Sequence, residues 1–107
     1  MSKKYQEQEV LLARFAKALG HPARITILKF LASQDCCFFG DIHDVLPISK
    51  ATVSQHLSAL KDAGLIQGEI IPPKVKYCIN SENWELAKTL LHELMSSRPD
   101  QKICCDG

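Results

Sequence analysis

A mainly helical fold with a small β-hairpin is what the sequence predicts, and three observations predict it. Up to Gly64 apolar side chains recur at helical spacing, broken at Gly20-His21-Pro22, at Ser33-Gln34-Asp35 and at Pro47. Beyond Gly64 the apolar period drops from about 3.6 to two, on either side of Pro72-Pro73. From Ser81 the helical spacing returns and runs to Ser97. At 107 residues, 46% of them hydrophobic and 23% charged, the chain has the make-up of one ordinary globular domain with a single core. The expected division is one structured domain over 1–98 and a short cysteine-bearing tail over 99–107.

The first helix is expected over 6–19, where Val10, Leu11, Phe15, Ala18 and Leu19 share helical spacing. Pro22 suits the first position of the next helix, because the N–H it lacks would have no partner there. That second helix, over 23–33, is apolar on nearly every side through Ile25, Ile27, Leu28, Phe30 and Leu31, as a central helix would be. Cys36-Cys37-Phe38-Phe39 follows, then a brief helix over 40–46 that Pro47 ends. Ser49 is a good N-cap, and Ile48 before it is placed to staple onto Val53. The helix so opened runs to 63, with Gly64 as its stop. Strands over 65–71 and 74–79 flank the proline tip. In the second strand Val75, Tyr77 and Ile79 lie on one face, Lys74, Lys76 and Cys78 on the other. The last helix, over 81–97, carries Trp84, Ala87, Leu91 and Leu94 in one stripe and Leu86 and Leu90 in another. Helix, tight turn, capped helix and hairpin, in that order, make a winged helix-turn-helix.

On a wheel of about 100° per residue, the helix from Ser49 turns Val53, Leu57 and Leu60 toward the core. Ala51, Gln55, Ser58 and Asp62 point away, flanked by Lys50, Thr52 and Ser54. Small residues and hydroxyls permit close approach to a groove floor. Gln55 has the paired donor and acceptor that read an adenine edge, and Lys50 suits a phosphate. His56 lies about 60° from Val53, so burial against the preceding helix and a base contact are both open. Lys74 and Lys76 add positive charge on the outer face of the wing. The formal charge of +1 supplies no global field, but residues 1–30 hold six basic and two acidic residues while 81–107 hold three and five. A last helix with two apolar stripes cannot cover both on so small a domain, and a twofold partner, joined also by Leu11 or Leu12, would cover the second.

Two stretches carry a resemblance. Ala18-Leu19-Gly20-His21-Pro22-Ala23-Arg24-Ile25, with Ala51-Thr52-Val53-Ser54-Gln55-His56-Leu57 through Leu60-Lys61-Asp62-Ala63-Gly64-Leu65-Ile66, resembles the ArsR family of small bacterial winged-helix repressors that sense metals, metalloids or redox chemistry. The resemblance covers residues 10–97. It implies a homodimer held by the first and last helices, with paired recognition helices in successive major grooves. The operator would then be an inverted repeat with half-sites about one helical turn apart. It places DNA contacts at Lys50, Thr52, Ser54, Gln55 and His56, and at Lys74 and Lys76 of the wing. Founding members carry Cys-x-Cys just before the short third helix; here those positions hold Phe38 and Gly40, so that site is absent. The zinc site of other members, on the last helix, is absent too, since His92 is followed three residues on by Met95.

The five cysteines are Cys36-Cys37, Cys78 and Cys104-Cys105. Thiolates select soft ions, and a trivalent arsenical wants two or three of them. Adjacent cysteines can offer two sulfurs from one short segment, while the small ring between them disfavours a mutual disulfide. Some members of the family place arsenical-binding cysteines near the C-terminus. Cys36, Cys37, Cys104 and Cys105 are therefore the expected ligands for an inducer, trivalent arsenic or another soft metal ion, with no resident cofactor required. A thiol-redox or reactive-sulfur bridge between the two pairs is the alternative, as is a structural role for buried Cys36 and Cys37. Cys78, on the outer face of the wing, is expected to be a bystander.

Enzyme chemistry finds no support: there is no Gly-rich phosphate loop, nucleophile elbow or suitably spaced carboxylate pair. No apolar run approaches the ~20 residues that cross a bilayer, and the polar start argues against a secretory signal, so a cytoplasmic protein without membrane contact is expected. A winged helix used for protein interaction, with no operator, is the competing class.

Overall fold

The computed structural model describes residues 4–98 and 100. Helix α1 (Glu7–Ala18) opens where the Gln6 N–H donates to the Glu9 carboxylate at 3.2 Å. It buries Phe15 and Ala18. Helix α2 (Pro22–Ala32) starts on proline as expected, and His21 caps it, Nδ1 accepting the Ala23 N–H at 3.0 Å. Strand β1 (Phe38–Phe39) and the single turn α3 (Ile42–Val45) lead to α4 (Lys50–Asp62). Strands β2 (Ile66–Ile71) and β3 (Lys74–Ile79) meet at Pro72-Pro73, and α5 (Ser81–Met95) closes the chain of elements. Asn80 caps α5, its side chain accepting the Asn83 N–H at 3.1 Å.

The fold class is the expected one, with one addition. The sheet has three antiparallel strands in the order β1-β3-β2, not a hairpin alone. Phe38 pairs with Tyr77 and Phe39 with Lys76. On the other side of β3, Ile66 pairs with Ile79 and Glu69 with Lys76.

Phe15, Ile27, Ile42, Leu60 and Leu65 are fully buried, so four helices and the root of the hairpin meet in one core. Each such side chain contributes on the order of 1.5–3 kcal/mol relative to exposure. Two local expectations need correction. Ile25 is 40% exposed, so α2 buries Ile27, Leu28 and Leu31 but is not covered all round. Ser49 is the N-cap by position, but its hydroxyl bonds the Thr52 hydroxyl at 3.0 Å and takes no backbone N–H. Gly64 ends α4 as expected. Its φ of +86° is a left-handed conformation, and a Cβ there would meet the Asn83 amide at 2.7 Å.

Candidate nucleic-acid interface and thiol cluster

Helix α4 separates its two flanks cleanly. Val53, His56, Leu57 and Leu60 are buried, and Lys50, Ala51, Thr52, Ser54, Gln55 and Ser58 are exposed. Of the expected DNA-reading positions, Lys50, Thr52, Ser54 and Gln55 are all solvent-exposed, spread across the outer half of α4. His56 is not among them. It is 7% exposed and turned toward α2, which corrects the expectation of a base contact and leaves burial as its role.

The reason lies on α2. Arg24 Nε donates to His56 Nδ1 at 3.1 Å, so the imidazole is neutral with its proton on Nε2. The His21 ring packs against it at 4.4 Å between centroids. Burial, then the His21 and Arg24 charges, lowers the His56 pKa from its ordinary 6.5. The His-Pro-x-Arg entry to α2 is therefore a brace for the recognition helix. At the other end of α4 the Arg14 guanidinium donates to the Asp62 carbonyl at 3.0 Å, fixing that terminus to α1.

The two wing lysines are unequal. Lys74 is exposed. Lys76 is half-buried and faces its cross-strand partner Glu69 at 4.0 Å, so part of its charge is answered within the wing. Lys61 of α4 lays its stem over Gly68 of β2, within 3.3 Å of where a Cβ would be. A glycine in a strand marks such a close approach.

The thiols are arranged otherwise than expected. Extending the β1–β3 register by one residue sets Cys37 opposite Cys78, and the two are joined as a disulfide. Gly40 N–H donates to the Val75 carbonyl, and bonded pairs alternate along the ladder. The Cys37–Cys78 pair therefore occupies a non-hydrogen-bonded position, where facing Cα atoms approach most closely; here they are 4.6 Å apart. Cys78 is not a bystander. Cys36 is exposed with a free thiol. All three line one cleft of about 310 Å³, together with Gln34, Tyr77 and Trp84. Cys104 and Cys105 lie outside the described residues. Among the described residues, Asp41, His43 and Asp44 also gather three ligand atoms within 4.8 Å, but these are mostly hard donors on an exposed turn.

Helix α5 buries Ala87 and Leu90 but leaves Leu86, Leu94 and Met95 at 38%, 57% and 74% exposure, with Val10 of α1 at 56%. An apolar groove of about 450 Å³ runs along it between Leu19, Trp84, Leu91 and Met95. No helix among the described residues is long and apolar enough to cross a membrane.

Comparison with known proteins agrees with this geometry. Residues 21–67, which span α2 to the start of β2, match the family described as bacterial regulatory protein, arsR family. The HTH-type transcriptional regulator YgaV of Escherichia coli K12 is 31% identical over 70 residues, covering 65% of this chain and 71% of YgaV. Among solved structures, an ArsR-like transcriptional regulator from Rhodococcus sp. RHA1 superposes with a TM-score of 0.66 at 23% identity, over 85% of this chain and 86% of that one. The cadmium metal-sensor CmtR of Mycobacterium tuberculosis superposes at 0.54 with 28% identity, over 90% of this chain and 99% of that one. In sequence this chain is 33% identical to CmtR over 72 residues, spanning 60% of CmtR's full length.

Proposed function

The chain belongs to the arsR family of bacterial regulatory proteins, DNA-binding transcriptional regulators rather than enzymes, and from that premise we propose a specific role for it. It is a homodimeric repressor that leaves its operator when a trivalent arsenical or another soft metal ion binds its thiols. The observation that carries the DNA half of this reading is the exposure of Lys50, Thr52, Ser54 and Gln55 on a helix whose opposite flank is locked into the core. Gln55 reads a base edge in the major groove, Lys50 and Lys74 meet phosphates, and Thr52 and Ser54 add hydroxyl contacts. Lys76 contributes less, because Glu69 faces it.

The apolar side chains that α5 leaves exposed support the dimer, since a second copy is the simplest cover for Leu86, Leu94 and Met95. A twofold pair of recognition helices asks for an inverted repeat with half-sites about 10 bp apart. For the inducer, support comes from Cys36 and, once its disulfide to Cys78 is reduced, Cys37 beside one cleft, and from the likeness to a protein described as a cadmium sensor. Cys104 and Cys105 of the tail complete the thiol set of this reading. Such a repressor works in the cytoplasm, where its operator is.

Fluorescence anisotropy with the DNA upstream of its own gene tests both halves. Saturable binding, stronger than to random DNA and reversed by arsenite, is the expected result. Absence of any preference for that DNA would leave a winged helix used for protein interaction. If Cys36→Ser, Cys37→Ser, Cys104→Ser and Cys105→Ser together leave the arsenite response intact, the inducer site is elsewhere.

A further inference from the structure

We propose that the thiophilic site of this protein is the cross-strand pair Cys37 and Cys78, open to a ligand as a dithiol and closed to it as the disulfide. The proposal rests on the soft-ligand reading above and changes its residues. Cys78 enters, and the pairing runs between strands, not between sequence neighbours.

The argument begins with the ladder. Adjacent cysteines point their side chains apart wherever the backbone is extended, and Cys36 and Cys37 come to line one cleft only because Cys36 lies on the bend before β1. Residues facing each other at a non-hydrogen-bonded position of an antiparallel pair point theirs to the same face, and the Cα atoms of Cys37 and Cys78 are 4.6 Å apart. Two sulfurs so placed reach one soft atom together without rearrangement of the sheet. The 310 Å³ cleft that Cys37 and Cys78 line gives the substituent on that atom a place, with the Trp84 and Tyr77 rings in its wall. Cys36 lines the same cleft and could give a third sulfur, which a monosubstituted arsenical does not need.

The chemistry balances without a redox change at arsenic. A monosubstituted trivalent arsenical, R–As(OH)2, condenses with the two thiols: two As–S bonds form, two As–O bonds break, and each thiol proton leaves with a hydroxyl as water. The disulfide has no thiol to give. Reopening it takes two electrons and two protons from a dithiol reductant, which itself closes to a disulfide. Either closure, by arsenic or by the disulfide, ties β1 to β3 at the root of the wing. Cys78 shares its strand face with Lys76 and Lys74, two and four residues away. A ligand at this position therefore acts on the strand that carries the wing's positive charge.

The test uses the full chain with Cys104→Ser and Cys105→Ser, fully reduced, and phenylarsine oxide as the probe, read by intact mass. One phenylarsenic adduct per chain is expected. Adding Cys78→Ser, or in a separate protein Cys37→Ser, should lower adduct yield at least tenfold, while Cys36→Ser should leave it unchanged. Two variants from different strands guard against loss through misfolding, and circular dichroism checks each. Oxidation with diamide should block the adduct and dithiothreitol should restore it. Full labelling of the Cys78→Ser chain, or of the oxidised chain, overturns the proposal. The operator reading is separate: if the adduct depends on Cys37 and Cys78 yet wild-type chain stays on its DNA, this site stands and the arsenical-induction reading falls.

Discussion

Helices α4 and α5 are alike in plan and opposite in destination. Both are amphipathic, 13 and 15 residues long, and each seals one flank against the core. The flank α4 leaves outside is made of hydroxyls, one amide, an alanine, two lysines and one aspartate. Helix α5 leaves Leu86, Leu94 and Met95 outside among its charged and polar residues. Water solvates the first without penalty, and a hydrated polyanion can replace that water with hydrogen bonds of equal kind. The second is stabilised only when another apolar surface excludes the water. On this contrast rest the two proposed roles, a DNA groove for α4 and a second copy of the chain for α5.

The largest test of that contrast is Leu94→Glu. At 57% exposure its loss leaves the subunit's own core untouched, but a carboxylate in the seam should weaken self-association by about 2 kcal/mol or more, roughly 30-fold. Sedimentation equilibrium reads this, and operator affinity should fall with it. Unchanged association would remove α5 as the seam. On the other helix, Gln55→Ala should reduce discrimination between operator and random DNA by about 1–3 kcal/mol. Equal loss on both DNAs would show that Gln55 reads no base.

A smaller effect lies on the buried flank of α4. The fold holds His56 neutral, whereas the unfolded chain protonates it near its ordinary pKa of 6.5. The unfolded state thus binds more protons as pH drops, so this contribution is complete above pH 6.5 and is lost as pH falls through the lowered folded value. The urea midpoint should decrease between about pH 7.5 and about pH 5.5, and His56→Gln, which keeps an acceptor for Arg24 but cannot be protonated, should flatten the dependence. The smallest expected difference separates the wing lysines. Lys74→Ala should lower affinity for all sequences and reduce the salt slope by about 1, and Lys76→Ala should do less because Glu69 already faces it.

How much of this was legible in the sequence follows from the range of the interactions. The outer flank of α4 was readable because a helical period is a local pattern; on α5 the two expected stripes are each split, Ala87 buried but Leu94 exposed in one, Leu90 buried but Leu86 exposed in the other. His56 sat at the edge of the core stripe, where the wheel is undecided. Its burial is settled by Arg24, 32 residues away on α2. Strand β1 is two residues long, too short to show a period, and its partner lies 38 or so positions on. Without β1 there is no reason to set Cys37 against Cys78, so the outer face of the wing looked bare and its cysteine idle. Ile25 misled for the reverse reason: apolar residues all round α2 say nothing about which side the other elements leave uncovered.

The turn at Gly64 carries one more consequence. Asn83 Nδ2 donates to the Gly64 carbonyl at 2.8 Å, and the Asn80 N–H donates to the Leu65 carbonyl at 2.9 Å. The first turn of α5 is thereby pinned to the joint between α4 and the wing. A helix of 15 residues is about 22 Å long, so it is a lever whose fulcrum lies at that joint. A shift of one helical rise at its far end tilts it by about 4°, and the pinned end delivers that tilt to the base of the hairpin. In the proposed dimer, the way two subunits settle against each other along α5 would in this way set the angle at which each presents its wing.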